Sequence, residues 1–116
     1  MVLRQALEAR DKHPKLREAE TFARQEINAD TALAKAYTTL GVVLAETGRK
    51  PEAIDRWKKA VELDGREFDA LYNLTVLLTE AGRIDEARTY ARQFVATAPP
   101  ALYGPAIDQL RTFIGR

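Results

Sequence analysis

Apolar residues recur three and four positions apart along most of this chain, the spacing of one buried helix face. Short polar, glycine or proline breaks interrupt the pattern at regular intervals. Over 1–12 the stripe is Val2, Leu3, Ala6, Leu7 and Ala9, and His13-Pro14 is expected to stop it. Proline has no donor, and the residue before it avoids the α region. A second helix is predicted over 15–29, with Leu16, Ala19, Phe22, Ala23 and Ile27 on one face. A third is predicted over 32–47, capped by Asp30 or Thr31 and ended by Gly48. Its stripe is Leu33, Ala36, Tyr37, Leu40, Val43 and Leu44.

Pro51 suits the start of a fourth helix, where the missing donor costs nothing, and Asp64-Gly65 ends it. Ala53, Ile54, Trp57, Ala60, Val61 and Leu63 form its apolar face. A fifth helix over 67–81 runs to Gly82, and a sixth is predicted over 84–97. Ala98-Pro99-Pro100 forces an extended break before a last helix over 105–114. No stretch alternates with period two, so the chain reads as all-α. Short breaks make successive helices antiparallel.

A shift of 34 residues brings the chain onto itself. Ala36 falls on Ala70, Leu40 on Leu74, Val42 on Val76, Leu44 on Leu78 and Glu46 on Glu80. Gly48-Arg49 falls on Gly82-Arg83, Glu52-Ala53 on Glu86-Ala87, and Val61 on Val95. Backwards, Glu18-Ala19 meets Glu52-Ala53 and Asp30 meets Asp64.

With Tyr37, Leu40-Gly41, Ala53, Trp57 and Ala60 at these offsets, the middle unit resembles a tetratricopeptide repeat (TPR). Gly65 stands where that family has proline. The third unit keeps Leu71, Leu74, Ala87 and Pro99 but departs at Thr75, Ala91 and Phe94. The first keeps Ala19 and little else, as terminal repeats do. The resemblance implies three antiparallel helix-turn-helix repeats in a right-handed α-α superhelix plus a C-terminal capping helix. The units would occupy about 1–33, 34–67 and 68–101, with the cap over about 104–115. Ala91 and Phe94 reverse the large-small order of Trp57 and Ala60, so local repacking is expected in the third unit.

Composition narrows the function. Eighteen basic residues against seventeen acidic ones leave a net charge of +1, so nucleic acid and membrane are not expected partners. The longest apolar run, Leu40 to Ala45, is too short to cross a bilayer, and charges at Arg4, Glu8 and Arg10 break any leader-like core. A cytoplasmic protein is the expectation. Cysteine and serine are both missing and His13 is the single histidine, which excludes disulfides, thiolate metal sites and Ser-His-Asp or Cys-His catalytic units. No glycine-rich phosphate loop occurs. No catalysis, cofactor or metal is expected.

The resemblance implies a concave surface built by the first helix of each unit, with binding residues at positions that packing leaves free. By offset these are Arg4, Glu8 and Asp11 in the first unit, Lys35, Thr38, Thr39, Val42, Ala45 and Glu46 in the second, and Asp69, Tyr72, Asn73, Val76, Thr79 and Glu80 in the third. Val42, Ala45, Tyr72 and Val76 make an apolar strip suited to a partner's extended segment or helix. Some co-chaperone TPR domains clamp a C-terminal carboxylate. Their clamp positions fall on Arg4, Glu8, Thr39, Asp69 and Asn73, and the two acids would repel such a tail, so that mode is excluded.

The expected partner is therefore an unidentified protein or peptide. The final helix, with Ile107, Leu110 and Ile114 on one side, is expected to cap the third unit; its other use would be a weak homodimer. Two further readings are an accessory TPR region of a larger bacterial enzyme, such as a sulfatase, and a self-assembling structural unit.

Overall fold

The computed structural model describes the backbone of 2–29 and 33–115 and the side chains of 14–29 and 33–115. Among these residues there are six helices and no strand: α1 (Val2–Ala29), α2 (Ala34–Glu46), α3 (Lys50–Leu63), α4 (Phe68–Glu80), α5 (Ile84–Thr97) and α6 (Pro100–Ile114). The chief packing is between successive helices, α1 on α2 through to α5 on α6. The radius of gyration is 15.8 Å, against about 13.4 Å expected for a compact domain of this length. The molecule is an elongated stack of layers, as a helical-repeat chain should be.

The hairpins α2–α3 and α4–α5 turn in the same way. Among the described residues Gly48 (φ 82°) and Gly82 (φ 78°) are the positive-φ ones, each one place past its helix cap. In the first turn Arg49 N–H donates to the Leu44 carbonyl at 2.8 Å and Gly48 N–H to the Ala45 carbonyl at 3.2 Å. In the second, Arg83 donates to Leu78 at 2.8 Å and Gly82 to Thr79 at 3.0 Å. This is the Schellman arrangement, which satisfies the last carbonyls of a helix and needs a residue free to adopt positive φ. At Asp64 the chain is extended, and the Asp64 carboxylate accepts the Arg66 N–H at 2.9 Å, so a side chain closes that turn.

The break expected at His13-Pro14 does not occur. α1 is one helix of 28 residues with Pro14 inside it. An interior proline removes one hydrogen bond and crowds the preceding turn, at about 3 kcal/mol, yet it does not supply a stop. Gly48 and Gly82 end helices because they adopt the conformation a stop requires; no such residue follows Lys12. The flanking segments are rich in strong helix formers. The first unit is therefore drawn out into a single long helix rather than a hairpin. The proposed cap at Asp30 or Thr31 lies outside the described residues, and α2 begins at Ala34 behind Leu33 without a side-chain cap.

Phe22 was expected on the buried face but is 61% exposed. Ala23 is fully buried, with Ile27 packed beside it, and this narrow α1 seam leaves Phe22 to one side. α6 starts earlier than predicted, because Pro100 sits in its first turn after the extended Ala98 and Pro99. A kink at Tyr103 (φ −124°, ψ 19°) separates that turn from the predicted segment.

Two core clusters run through the stack. One joins Tyr37, Leu40 and Leu44 of α2 with Ala53, Ile54, Trp57 and Ala60 of α3 and Ala70, Leu74 and Leu78 of α4. The other joins Leu71, Ala91, Phe94 and Ala98 with Ile107 and Leu110 of α6. Those two α6 residues are 4% and 5% exposed, so the last helix covers the end of the second hairpin.

The layers are also joined by charge. Glu20 on α1 accepts from Arg49 Nη2 at 2.7 Å and Nη1 at 3.3 Å, and from Arg24 Nη2 at 2.9 Å. The Arg49 hydrogen bond, opposed by burial and helped by Arg24, holds the Glu20 carboxyl below the usual glutamate range. A carboxylate with a lowered folded pKa stabilises the fold above its unfolded pKa of about 4.3, and that contribution fades as pH falls through the folded value. Glu20→Gln is expected to melt several degrees below wild type at pH 7. In thermal melts across pH, the gap should narrow steadily as pH falls below the unfolded glutamate pKa of about 4.3. A gap independent of pH would show that the pair does not couple α1 to the α2–α3 turn.

Candidate functional site

α2 and α4 are the first helices of the two hairpins, and they stand side by side on one face of the stack. Lys35, Thr38, Thr39 and Val42 on α2 and Asp69, Tyr72 and Asn73 on α4 line a single cleft of about 510 Å³. These are seven of the fifteen positions that offset reasoning selects. A 34-residue shift preserves the angle at which a residue leaves its helix, so equivalent positions open to the same side. Val42 and Val76 show this directly, at 39% and 38% exposed.

Val76 lies in a neighbouring hollow of about 300 Å³ between α4 and α6, with Thr75, Thr79, Leu110 and Phe113. Tyr72 lines both spaces, and its hydroxyl donates to Gln109 Oε1 of α6 at 2.9 Å. α6 thus walls off the far end of the groove, which separates Val76 from the rest. Arg4 lies on α1, and its side chain is outside the described ones, as are those of Glu8 and Asp11.

Thr38 is less free than its offset implies. It is 6% exposed, and its hydroxyl donates to Glu67 Oε2. Glu67, just before α4, is 7% exposed and also accepts from Lys35 Nζ at 3.5 Å. One buried carboxylate therefore ties α2 to the start of α4 and sets the cleft's polar edge. Thr38 also offers its backbone carbonyl to Trp57 Nε1 at 3.1 Å, which joins the groove wall to the packing anchor behind it.

The floor is aromatic. Phe68 and Tyr72 from α4, Phe94 from α5 and Tyr103 from α6 line the cleft. Ring centroids are 5.9 Å apart for Phe68–Phe94, 5.2 Å for Phe68–Tyr103, 6.0 Å for Tyr72–Phe94 and 5.5 Å for Phe94–Tyr103. Phe94 is fully buried, while the other three rings are partly open.

Glu67, Phe68, Phe94, Tyr103 and Ala106 are cleft residues that offset reasoning did not select. Phe94 carried a signal, since it stands 34 places after Ala60 and puts a large ring where the previous layer has a methyl group. Tyr103 carried none, because its position depends on the kink in α6.

Among the described residues no group of three or more His, Asp or Glu is placed to hold a metal ion. No described helix is long and apolar enough to cross a membrane.

The architecture is a TPR-like helical repeat. The structure superposes on the type III secretion translocator chaperone SycD of Yersinia enterocolitica with a TM-score of 0.77 at 13% identity, over 96% of this chain and 77% of that one. It superposes on MamA with a TM-score of 0.68 at 21% identity, over 93% of this chain and 70% of that one. No protein-family profile and no curated protein sequence matches the chain. These similarities establish the fold.

Proposed function

We propose that the cleft between α2 and α4 holds an extended segment of a partner protein and performs no chemistry. The observation that carries this reading is the convergence of seven offset-selected positions on one open groove with an apolar floor and a polar edge. Its volume is in the range of sites that enclose several ligand groups. The similarity to a translocator chaperone, which works on other polypeptides, favours the same kind of partner.

The wall is also largely preformed. Thr38, Lys35 and Glu67 are already engaged with one another, and Tyr72 is held by Gln109. Little ordering would accompany binding, which leaves more of the contact energy for affinity.

The test is a peptide-array screen followed by amide chemical-shift mapping. Binding peptides are expected to shift signals around Val42, Tyr72 and Asn73. A Tyr72→Ala, Val76→Glu double variant should weaken them about 30-fold, as loss of a central aromatic contact does. Shifts confined to α3 and α5, or equal binding by the variant, would overturn the groove assignment.

A further inference from the structure

The charges around the cleft do not balance. Its lining carries Lys35, Glu67 and Asp69, one cation against two anions. Lys35 is committed to Glu67, and Glu67 is buried under Thr38. Asp69 has no hydrogen-bond or ion-pair partner among the described residues, and it is exposed. Among the lining residues the unmatched charge is thus negative, with the Arg66 guanidinium outside the lining and already over Phe68. Tyr72, three residues further along α4, shares the helix face of Asp69.

The aromatic floor adds to this preference. Aromatic faces carry a negative quadrupole and attract cations, guanidinium groups most of all because they also stack. The molecule already uses Phe68 in this way: the Arg66 guanidinium carbon lies 5.9 Å from its ring centroid. Tyr72 and Tyr103 offer further partly open rings around the same space. Position in the first turn of α4 explains why Asp69 is tolerated there. It does not explain two partly open rings, Tyr72 and Tyr103, gathered on the same side as an unpaired carboxylate.

Resting on the peptide-holding function above, we infer that the groove selects an arginine side chain in the bound segment. The guanidinium would lie against the rings of Tyr72 and Tyr103 and donate its paired N–H groups to the Asp69 carboxylate. Asn73, one turn further along α4, also lines the cleft and has amide groups suited to the segment's backbone. Lys35, at the opposite edge, is neutralised by Glu67 and does not oppose the incoming charge.

The experiment uses a displayed library of random 12-residue peptides selected against the full chain. Arginine is expected to be enriched at one aligned position. In a synthetic copy of the strongest peptide, replacing that arginine by the neutral isostere citrulline should weaken binding about tenfold. Asp69→Asn, an isosteric change at an exposed site, should bind the two peptides almost equally while melting within a few degrees of wild type, the small loss being that of a first-turn charge. Tyr103→Leu should also shrink the arginine preference.

Selected peptides without arginine, or a citrulline copy that binds as well, would overturn the inference and leave the groove function standing. Failure of any peptide to be selected would remove both. If dilution of the protein alone moves the Asp69 and Tyr72 signals, the cleft is filled by a second copy of the chain, and the free-peptide ligand is wrong.

Discussion

Replacing Trp57 by alanine is expected to cost about 3–5 kcal/mol of folding stability. The side chain is 2% exposed, sits in the cluster that joins α2, α3 and α4, and donates its indole N–H to the Thr38 carbonyl. Truncation leaves a large cavity and an orphaned acceptor at once. Gly41 sharpens the expectation. A methyl group there would lie 2.3 Å from Trp57 Nε1 and 2.5 Å from Cδ1, far inside contact distance.

Gly41→Ala gains about 0.5–1 kcal/mol of intrinsic helix stability but loses about 1–3 kcal/mol to overpacking, so it should destabilise on balance. In a Trp57→Ala background the clash is gone, and the same substitution should stabilise. A urea-melt double-mutant cycle reads this change of sign. Additive effects would mean that the ring and the glycine are not in contact.

Phe94→Ala is the second change expected to cost about 3–5 kcal/mol. Phe94 is 1% exposed and is the ring shared by three of the four aromatic pairs under the cleft. Each such pair contributes about 0.5–1.5 kcal/mol beyond its burial. Because these rings come from α4, α5 and α6, the loss should fall on the docking of α6. Thermal melts should show the destabilisation, and the near-ultraviolet circular dichroism of Tyr72 and Tyr103 should weaken before the helical signal. Phe94→Leu, which keeps most of the volume, should recover the larger part of the stability. A Phe94→Ala midpoint within a degree or two of wild type would mean that α6 is held by other contacts.

Much of this architecture was legible in the chain because two rules act locally. Glycine at positive φ ends a helix wherever it stands, so both hairpin turns were placed, and the prolines after Ala98 set the other end of α5, which was predicted at its observed limits. Helical periodicity and the 34-residue shift then put seven groove positions on one face. What was not legible depended on tertiary context. Pro14 is as much a proline as Pro51, and only the absence of a stop beside it lets α1 run through.

Thr38 reads as a free surface residue until a carboxylate from the next hairpin reaches it. Val76 was separated from its companions by α6, whose path depends on the kink at Tyr103. The reversed order of Ala91 and Phe94 was expected to repack the third unit. Offset comparison accounts for it: Thr75 replaces Gly41 where Ala91 replaces Trp57, and Phe94 fills the space toward α6.

The matching turns at Gly48 and Gly82 have one more consequence. Each layer meets its neighbours through the same small and apolar positions, Ala36 and Ala70, Leu40 and Leu74, Leu44 and Leu78. A duplicated stretch spanning 34–67 could therefore be spliced in after Glu67 and find familiar surfaces on both sides. Such an insertion would lengthen the binding face by one helix spacing, about 9 Å, without a new type of junction. Reach, in a chain built this way, is a quantity that grows by gene duplication in whole steps.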